Sequence, residues 1–412
     1  MVIALAIYGG IYAYFELKAV ENLYNTDVYE AIPAQPEMML VVHNPKELPE
    51  VWNVCNKYID LLPEKRALTV VDAIGKAQIC SEQCIDKEPL FISYYPEGTL
   101  LFLRMKRKDF EYMQKKFFSI NLSGFAPRKE IYKNAEILIK ATNDENFFCY
   151  SLYNNIFIGS YEKKLIYKAI DSYDNKTSLR NDSSFRKVLA QFNRFEKNAL
   201  AGLYIHSVKN SSVFKELISN NVNHWLTGDI KIKEQTLNIS GFLSWDNPAV
   251  EEIQDTLSLF ANFEAEMIPM NTTYFKYAFS GMQKNYTGLV EFQENDSAST
   301  NHDVFILKSS CSSEYYKEND YTIIPYGDYQ IISKVKDVAE AYSGILKEGK
   351  TFRQNQIFQT LFKQHDDKDI REMIWMQKNI QEENVPSTYN FLMFISPDCI
   401  DKFYSLSIIR EP

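Results

Sequence analysis

Apolar residues run along this chain in two rhythms, and their alternation predicts its elements. From Met38 a short, continuously apolar run, Met-Met-Leu-Val-Val, passes through a polar hinge into apolar positions three and four residues apart, ending at Ile59. Such a run bounded by a hinge reads as a strand, and the spacing after it as a helix. The same reading predicts strands over 38–43, 90–95, 99–105, 134–140, 147–153 and 156–160. It predicts helices over 47–60, 64–82, 107–118, 161–172 and 184–192. Tight turns between neighbouring strands, as at Pro96-Glu97-Gly98, predict antiparallel pairing. Mainly antiparallel sheet with helices on one face defines the α+β class.

The pattern recurs. The strand, hinge and helix of 38–59 return from Ala201 to Ile218, where His206 takes the place of His43 and Phe214, Leu217 and Ile218 take those of Val51, Val54 and Cys55. A third instance starts at Asn390, with Phe403 and Leu406 on its expected helical stripe. Between these starts, a hairpin and helix from Ser151 match a hairpin and helix from Ile323. Asn154-Asn155 and Gly327-Asp328 are the turn residues, and Phe185 and Leu189 fall on Phe358 and Phe362. Two matches in the same order predict tandem duplicated domains, because their period is too long for a solenoid. The expected units are 36–197 and 198–386. Residues 387–412 are expected as a strand and helix that either complete the second unit or begin a truncated third. A second-unit hairpin is expected at 228–233 and 236–243.

Upstream of these units, Met1 to Phe15 carry no charge, and the first ionisable side chain is Glu16. Fifteen helical residues reach about 22 Å, short of the ~30 Å hydrocarbon core. No basic residue precedes the run, so it reads as the back half of an uncleaved signal anchor whose natural start lies upstream. On this reading residues 1–20 form the membrane helix and 21–35 the spacer. The chain is then a single-pass protein of the inner membrane with its bulk in the periplasm.

Composition narrows function by exclusion. The 412 residues hold 45 Lys and Arg against 54 Asp and Glu, a net charge of -9. An acidic chain without a long basic run lacks the clustered cations that nucleic-acid binding needs. Hydrophobic residues at 45% suffice for packed cores, and the 14 glycines leave little for phosphate-cradling loops. The common nucleotide, zinc-protease and hydrolase motifs are missing, so no catalytic residue, cofactor or metal is assigned. The six cysteines fit no metal framework. His43 and His206 are the candidate groove positions, since both stand where a strand gives way to a helix. A nucleophilic pairing of Cys149 with a histidine stays open, though no activating neighbour is visible. Lys163, Lys164 and Lys168, and the run Arg-Met-Lys-Arg-Lys at 104–108, read either as solvated faces or as contacts to anionic head groups.

The run Ala-Ile-Pro-Ala-Gln-Pro-Glu-Met-Met-Leu-Val-Val-His-Asn-Pro-Lys-Glu-Leu, from Ala31 to Leu48, resembles the opening of an uncharacterised family of anchored envelope proteins from Bacteroidetes, the domain of unknown function 3352 family. That family implies a membrane helix (here Met1–Phe15), a polar spacer (Glu16–Glu30), an Ile-Pro dipeptide (Ile32-Pro33), an apolar strand (Met38–Val42) and a polar hinge (His43–Lys46). It implies a location and no activity. The leading expectation is therefore a non-catalytic, membrane-tethered periplasmic protein that binds a partner protein or envelope component. The alternatives are an envelope enzyme using carboxylates such as Asp72, Glu82 or Glu136, and a lipid carrier with an apolar groove of aromatic sheet faces.

Overall fold

The computed structural model describes residues 18, 25–43, 70–71, 74, 88–115, 125–142, 146–191, 199–206, 225–233, 236–243, 265–270, 272, 274–278, 287–292, 302–308, 313–363, 372–380, 387–397 and 402–410. The expected membrane segment, apart from Lys18, lies outside them, as do the helix over 47–60 and, apart from Val70, Val71 and Ile74, the helix over 64–82. No helix among the described residues is long and apolar enough to cross a membrane. The chain divides into two compact units, 1–216 with 220–230, and 217–219 with 231–412. It is an α+β protein of mainly antiparallel sheet.

The first unit holds strands β1 (Met38–Val42), β2 (Leu90–Tyr95), β3 (Gly98–Arg104), β4 (Arg128–Tyr132), β5 (Ala135–Ala141), β6 (Phe147–Tyr153), β7 (Ile156–Ser160), β8 (Ala201–Ile205) and β9 (Leu226–Lys233, through Ile230). Their order in the sheet is β9-β8-β1-β2-β3-β7-β6-β5-β4. Helices α1 (Arg107–Met113), α2 (Lys163–Asn175) and α3 (Ser183–Gln191) accompany them. Strands β1, β2, β7 and β8 are buried at every position, which requires cover on both faces. On one face Leu165, Ile166, Ala169 and Ile170 of α2 join Ile156 and Ile158 in the core. On the other, Phe110 of α1 packs against Tyr150 and Phe157 at ring separations of 6.0 and 6.3 Å. The register Leu152↔Phe157 and Ser151↔Ile158 puts Phe157 opposite to Ile158. The expectation of helices on one face is thus corrected: runs without alternation belong to a sheet covered twice.

The boundary expected at 197/198 falls instead at Ile230. β8 pairs antiparallel with β1, Met38↔Ile205 to Val42↔Ala201, so the strand at Ala201 belongs to the first unit and starts no new one. The second unit contains β10 (Thr236–Leu243), β11 (Tyr274–Ala278), β12 (Thr287–Phe292), β13 (His302–Lys308), β14 (Thr322–Tyr326), β15 (Tyr329–Ser333), β16 (Glu372–Ile380), β17 (Ser387–Pro397) and β18 (Lys402–Arg410). Its helices are α4 (Glu314–Glu318), α5 (Lys336–Lys347) and α6 (Gln356–Lys363). One sheet runs β11-β16-β17-β18-β10 and another β12-β13-β15-β14.

The helix expected through Phe403 and Leu406 is a strand. Lys402–Arg410 pairs with β17 and with β10, and Leu406 and Ile408 are buried while the hydroxyl of Ser407, between them, donates to Asn238 Oδ1 at 2.6 Å. The three-residue spacing of Phe403 and Leu406 concealed a period of two. Each unit also carries the elements of the second sequence match. In the first these are the β6-β7 hairpin, α2, a 3-10 turn at Leu179–Asn181 and α3. In the second they are the β14-β15 hairpin, α5, a 3-10 turn at Phe352–Gln354 and α6. The hairpin turns align Asn154-Asn155, both at positive φ, with Gly327-Asp328, of which Gly327 has φ 55°. That register sets Ser151 on Ile324, one residue later than the expected Ile323.

Each unit is closed by a similar strap. In the first, a 3-10 turn at Val28–Glu30 leads to Ile32-Pro33, where Leu179 N donates to Ile32 O at 2.7 Å and Pro33 bridges Ser178. In the second, a 3-10 turn at Ala265–Met267 leads to Ile268-Pro269, where Phe352 N donates to Ile268 O at 2.8 Å and Pro269 bridges Thr351. An acid and an arginine flank both, Asp27 with Arg180 and Glu266 with Arg353. Asp182 Oδ1 accepts from Phe185 N at 2.9 Å and Asn355 Oδ1 accepts from Phe358 N at 2.9 Å, capping α3 and α6 alike.

Two sets of substitutions test this packing. A Cβ on Gly159 would stand 2.6 Å from Phe148 Cζ and 3.0 Å from Phe157 Cζ, both inside the core. Gly159→Ala is therefore expected to destabilise the first unit by about 1–3 kcal/mol in a denaturant titration. Ile32→Ala and Ile268→Ala each empty a buried strap position and are expected to cost about 2–5 kcal/mol, each in its own unit's transition.

Candidate functional surface

The two histidines singled out by sequence do not meet. His43 follows β1 and His206 follows β8, and the antiparallel register sends them to opposite ends of the strand pair. Burial lowers the His43 pKa. The His206 ring lies 4.6 Å from that of Trp225, tilted 44° to it, and its backbone N–H donates to Glu37 O at 3.1 Å. Equivalent positions in two successive strand-helix patterns become opposite positions once the strands pair antiparallel, so no shared groove forms. Cys149 is buried in the core of the first unit, and burial pushes its thiol up to about 11, the reverse of what a thiolate nucleophile needs. Among the described residues no three His, Cys, Asp or Glu are placed to hold a metal ion. Asp72 and Glu82 lie outside the described residues, and Glu136 pairs with Lys129 at 2.7 Å.

Several residues of the basic runs are engaged within the fold. Arg104 Nε meets Glu88 Oε2 at 2.6 Å, and its guanidinium also donates to Thr26 O at 3.2 Å. Arg107 pairs with Glu111 one turn on, at 3.2 Å. Lys168 lies 5.2 Å over the ring of Tyr95.

Charge and aromatic surface concentrate instead where α2 meets the β4-β5 hairpin, at the end of the first unit's sheet. From β4, Glu130 and Tyr132 face the helix. From α2, Lys163, Tyr167, Asp171 and Asp174 face the strand, at the spacing that lines one helical face. Lys163 Nζ lies 3.0 Å from Glu130, and the Tyr167 hydroxyl donates to the same carboxylate. Tyr132 and Tyr167 stack with centroids 4.1 Å apart and planes 16° from parallel. The Tyr132 hydroxyl donates to Asp171 at 3.0 Å, and Lys133 pairs with Asp171 at 2.5 Å and Asp174 at 3.4 Å. The Tyr153 hydroxyl donates to Asp174 at 2.7 Å, and that bond pushes its pKa up to about 12.

The electrostatics follow from these bonds. Tyr167 and then Lys163 hold Glu130 below the usual carboxylate range, and Lys133 does the same to Asp171. The reciprocal effect raises Lys163 and Lys133. This arrangement fixes the hairpin to the helix and holds Glu130 and Asp171 ionised and occupied, unlike a general acid or base poised near neutrality. Beyond the network, the sheet ends on β4, where Arg128, Lys129 and Ile131 are exposed. Sequence reading took Lys163, Lys164 and Lys168 as a solvated face or a contact to head groups and did not place β4 at all. The usable signal was the four-residue step Lys163, Tyr167, Asp171, opposed by the two-residue step Glu130, Tyr132.

No known protein family matches the chain, and no curated protein does. Two solved structures are similar to it, crystal forms I and III of TP0453, at 11% and 10% identity with TM-scores of 0.27 and 0.28. They cover 78% and 79% of this chain and 98% and 99% of their own.

Acid is expected to loosen the β4-β5 hairpin. Because the folded state lowers the pKa of Glu130 and Asp171, their contribution is present above the unfolded carboxylate value of about 4 and is lost as pH falls through the folded one. Hydrogen exchange at β4, corrected for intrinsic rate, should accelerate below about pH 4. In a Glu130→Gln, Asp171→Asn variant that acceleration should disappear.

Proposed function

We propose that this chain is a non-catalytic, membrane-anchored protein of the cell envelope, with residues 1–20 in the inner membrane and the bulk of the chain periplasmic. Its two α+β units arose by tandem duplication and bind a partner protein or envelope component. The observation that carries the reading is the repeated strap, with an Ile-Pro dipeptide, a backbone bond into a 3-10 turn and an acid-arginine pair in each unit. Its support is topological as well: the antiparallel pairings β11-β16, β12-β13, β13-β15 and β14-β15 repeat β1-β8, β2-β3, β3-β7 and β6-β7. On this reading the second copy opens near Ala265, not at Asn198.

The first strap suits a tether. It follows the uncharged run Met1–Phe15 and is held by Arg104 on Thr26 O, Arg180 on Asp27 and the Tyr95 hydroxyl on Pro33 O. A load from an anchor would meet these bonds before reaching β1. The Ile32-Pro33 and Met38–Val42 segments are also those that resemble the domain of unknown function 3352 family, and membership in it is part of this proposal.

Fractionation of cells making the native gene product is the test. The protein is expected in the membrane fraction, degraded by protease added outside the cytoplasmic membrane and protected from protease inside it. Recovery as a soluble cytoplasmic protein would overturn the anchor.

A further inference from the structure

We propose that β10 is a dimerisation edge, which this chain satisfies internally with β18 and which a second copy of the chain takes up through its own β10 when β18 is released. This rests on the duplication proposed above, which brought the contact inside a single chain.

The strand pairings carry the correspondence between the two copies step by step. Setting Ile32-Pro33 on Ile268-Pro269 sets Met38 on Tyr274. Met38 pairs with Ile205 and Tyr274 with Met376, so Ile205 falls on Met376 and, one residue earlier, Tyr204 on Trp375. Both of the latter are buried in the core of their own unit, and they meet Phe185 and Phe358 at ring separations of 5.5 and 5.6 Å. Ile205 pairs in turn with Leu226 and Met376 with Phe391, so Leu226 falls on Phe391. Continued without a gap, this register carries β10 onto β18 and Ser240 onto Ser405.

Ser240 and Ser405 are also the two residues that stand opposite each other where β10 pairs with β18, both in the second compact unit. The flanking pairs exchange about them, since Ile239↔Leu406 corresponds to Tyr404↔Gly241. Corresponding residues meeting at the centre, with their neighbours exchanged on either side, define an isologous contact, the kind that joins two identical chains about a two-fold axis. The structure thus shows what occupies the β10 edge, and the occupant is the counterpart of β10 itself.

The residues of β10 permit it to meet itself. Thr-Leu-Asn-Ile-Ser-Gly-Phe-Leu carries no charge and no proline, so it lacks the lysines and prolines that keep like edges apart. Two copies of β10 turned about Ser240 set Leu237 opposite Leu243, Asn238 opposite Phe242 and Ile239 opposite Gly241. The internal pair prevails over this one for two reasons. Ile239 meets Leu406 there instead of glycine, and both are buried. Linkage within one chain also holds β18 at an effective concentration of about a millimolar, which a second copy in dilute solution does not match until β18 leaves.

Release of β18 in the full-length chain, kept in mild detergent, tests the edge. Leu406→Asp with Ile408→Asp puts carboxylates at two buried positions of β18, which it cannot then dock without burying unpaired charge. The variant is expected to sediment as a dimer, at twice the mass of the unsubstituted chain. With Ser240→Cys added, gentle oxidation should join two copies at residue 240, read by mass spectrometry of the linked peptides. Asn238→Cys in its place should not join to itself, because strands turned about Ser240 hold the two copies of residue 238 about 13 Å apart, but it should join to Phe242→Cys on a second chain. A folded monomer, or self-joining at 238 equal to that at 240, would overturn the proposal. If the variant does not fold, chains with β18 otherwise intact replace it. One carrying Ser240→Cys and one carrying Ser405→Cys, refolded together at high concentration, should then join to each other, and Asn238→Cys should fail in place of Ser240→Cys. Absence of that link, or equal linking at 238, would overturn it too. Fractionation reads the anchor independently, so failure here is distinguishable from failure of the reading above.

Discussion

The backbone bond from Leu179 to the carbonyl of Ile32, matched by that from Phe352 to Ile268, is the constraint on which each unit depends. A buried carbonyl needs a partner, and a residue before proline is held extended, so the Ile-Pro dipeptide can offer its carbonyl sideways to a 3-10 turn without becoming helical. Ile32 and Leu179 are both fully buried, as is Phe352, and Ile268 nearly so. The bond ties the segment entering the sheet to the turn between the last two helices, far apart in sequence. The helix caps at Asp182 and Asn355, the arginine pairs and the aromatic packing of Phe185 and Phe358 all gather around it.

Local chemistry made part of this fold legible. The strands 90–95, 147–153 and 156–160 appear at their expected bounds, because turn residues such as Asn154-Asn155 punctuate apolar runs that nothing else could explain. Periodicity failed where two periods coincide over a few residues, as at 402–410, and where a strand is too polar to announce itself, as at Arg128–Tyr132. It failed at the domain level for another reason. A strand followed by a helix recurs in any α+β chain, so the likeness of 38–59 to 201–218 linked neighbours in one sheet, while the more specific Ile-Pro at 268–269, five residues ahead of a strand in both units, passed unread.

The candidate surface was less legible than the fold because its parts are related only through pairing. Histidine spacing says nothing about which end of an antiparallel pair each residue reaches. The network of Glu130, Tyr132, Lys163, Tyr167 and Asp171 needs both the strand's two-residue step and the helix's four-residue step to be brought face to face. Each half alone reads as an ordinary solvated element.

Among the described residues, each hydrophobic cluster that closes a unit contains one nearly inaccessible indole, Trp225 in the first and Trp375 in the second. Trp225 donates its N–H to Ser184 at 3.0 Å and lies against the imidazole of His206, whereas Trp375 sits among Phe352 and Phe358. These two of the chain's four tryptophans therefore emit differently, one beside an imidazole ring and the other in a hydrocarbon setting. With Trp52 and Trp245 replaced by phenylalanine, each half would carry a single intrinsic optical label, and the melting of either core could be watched by its own colour.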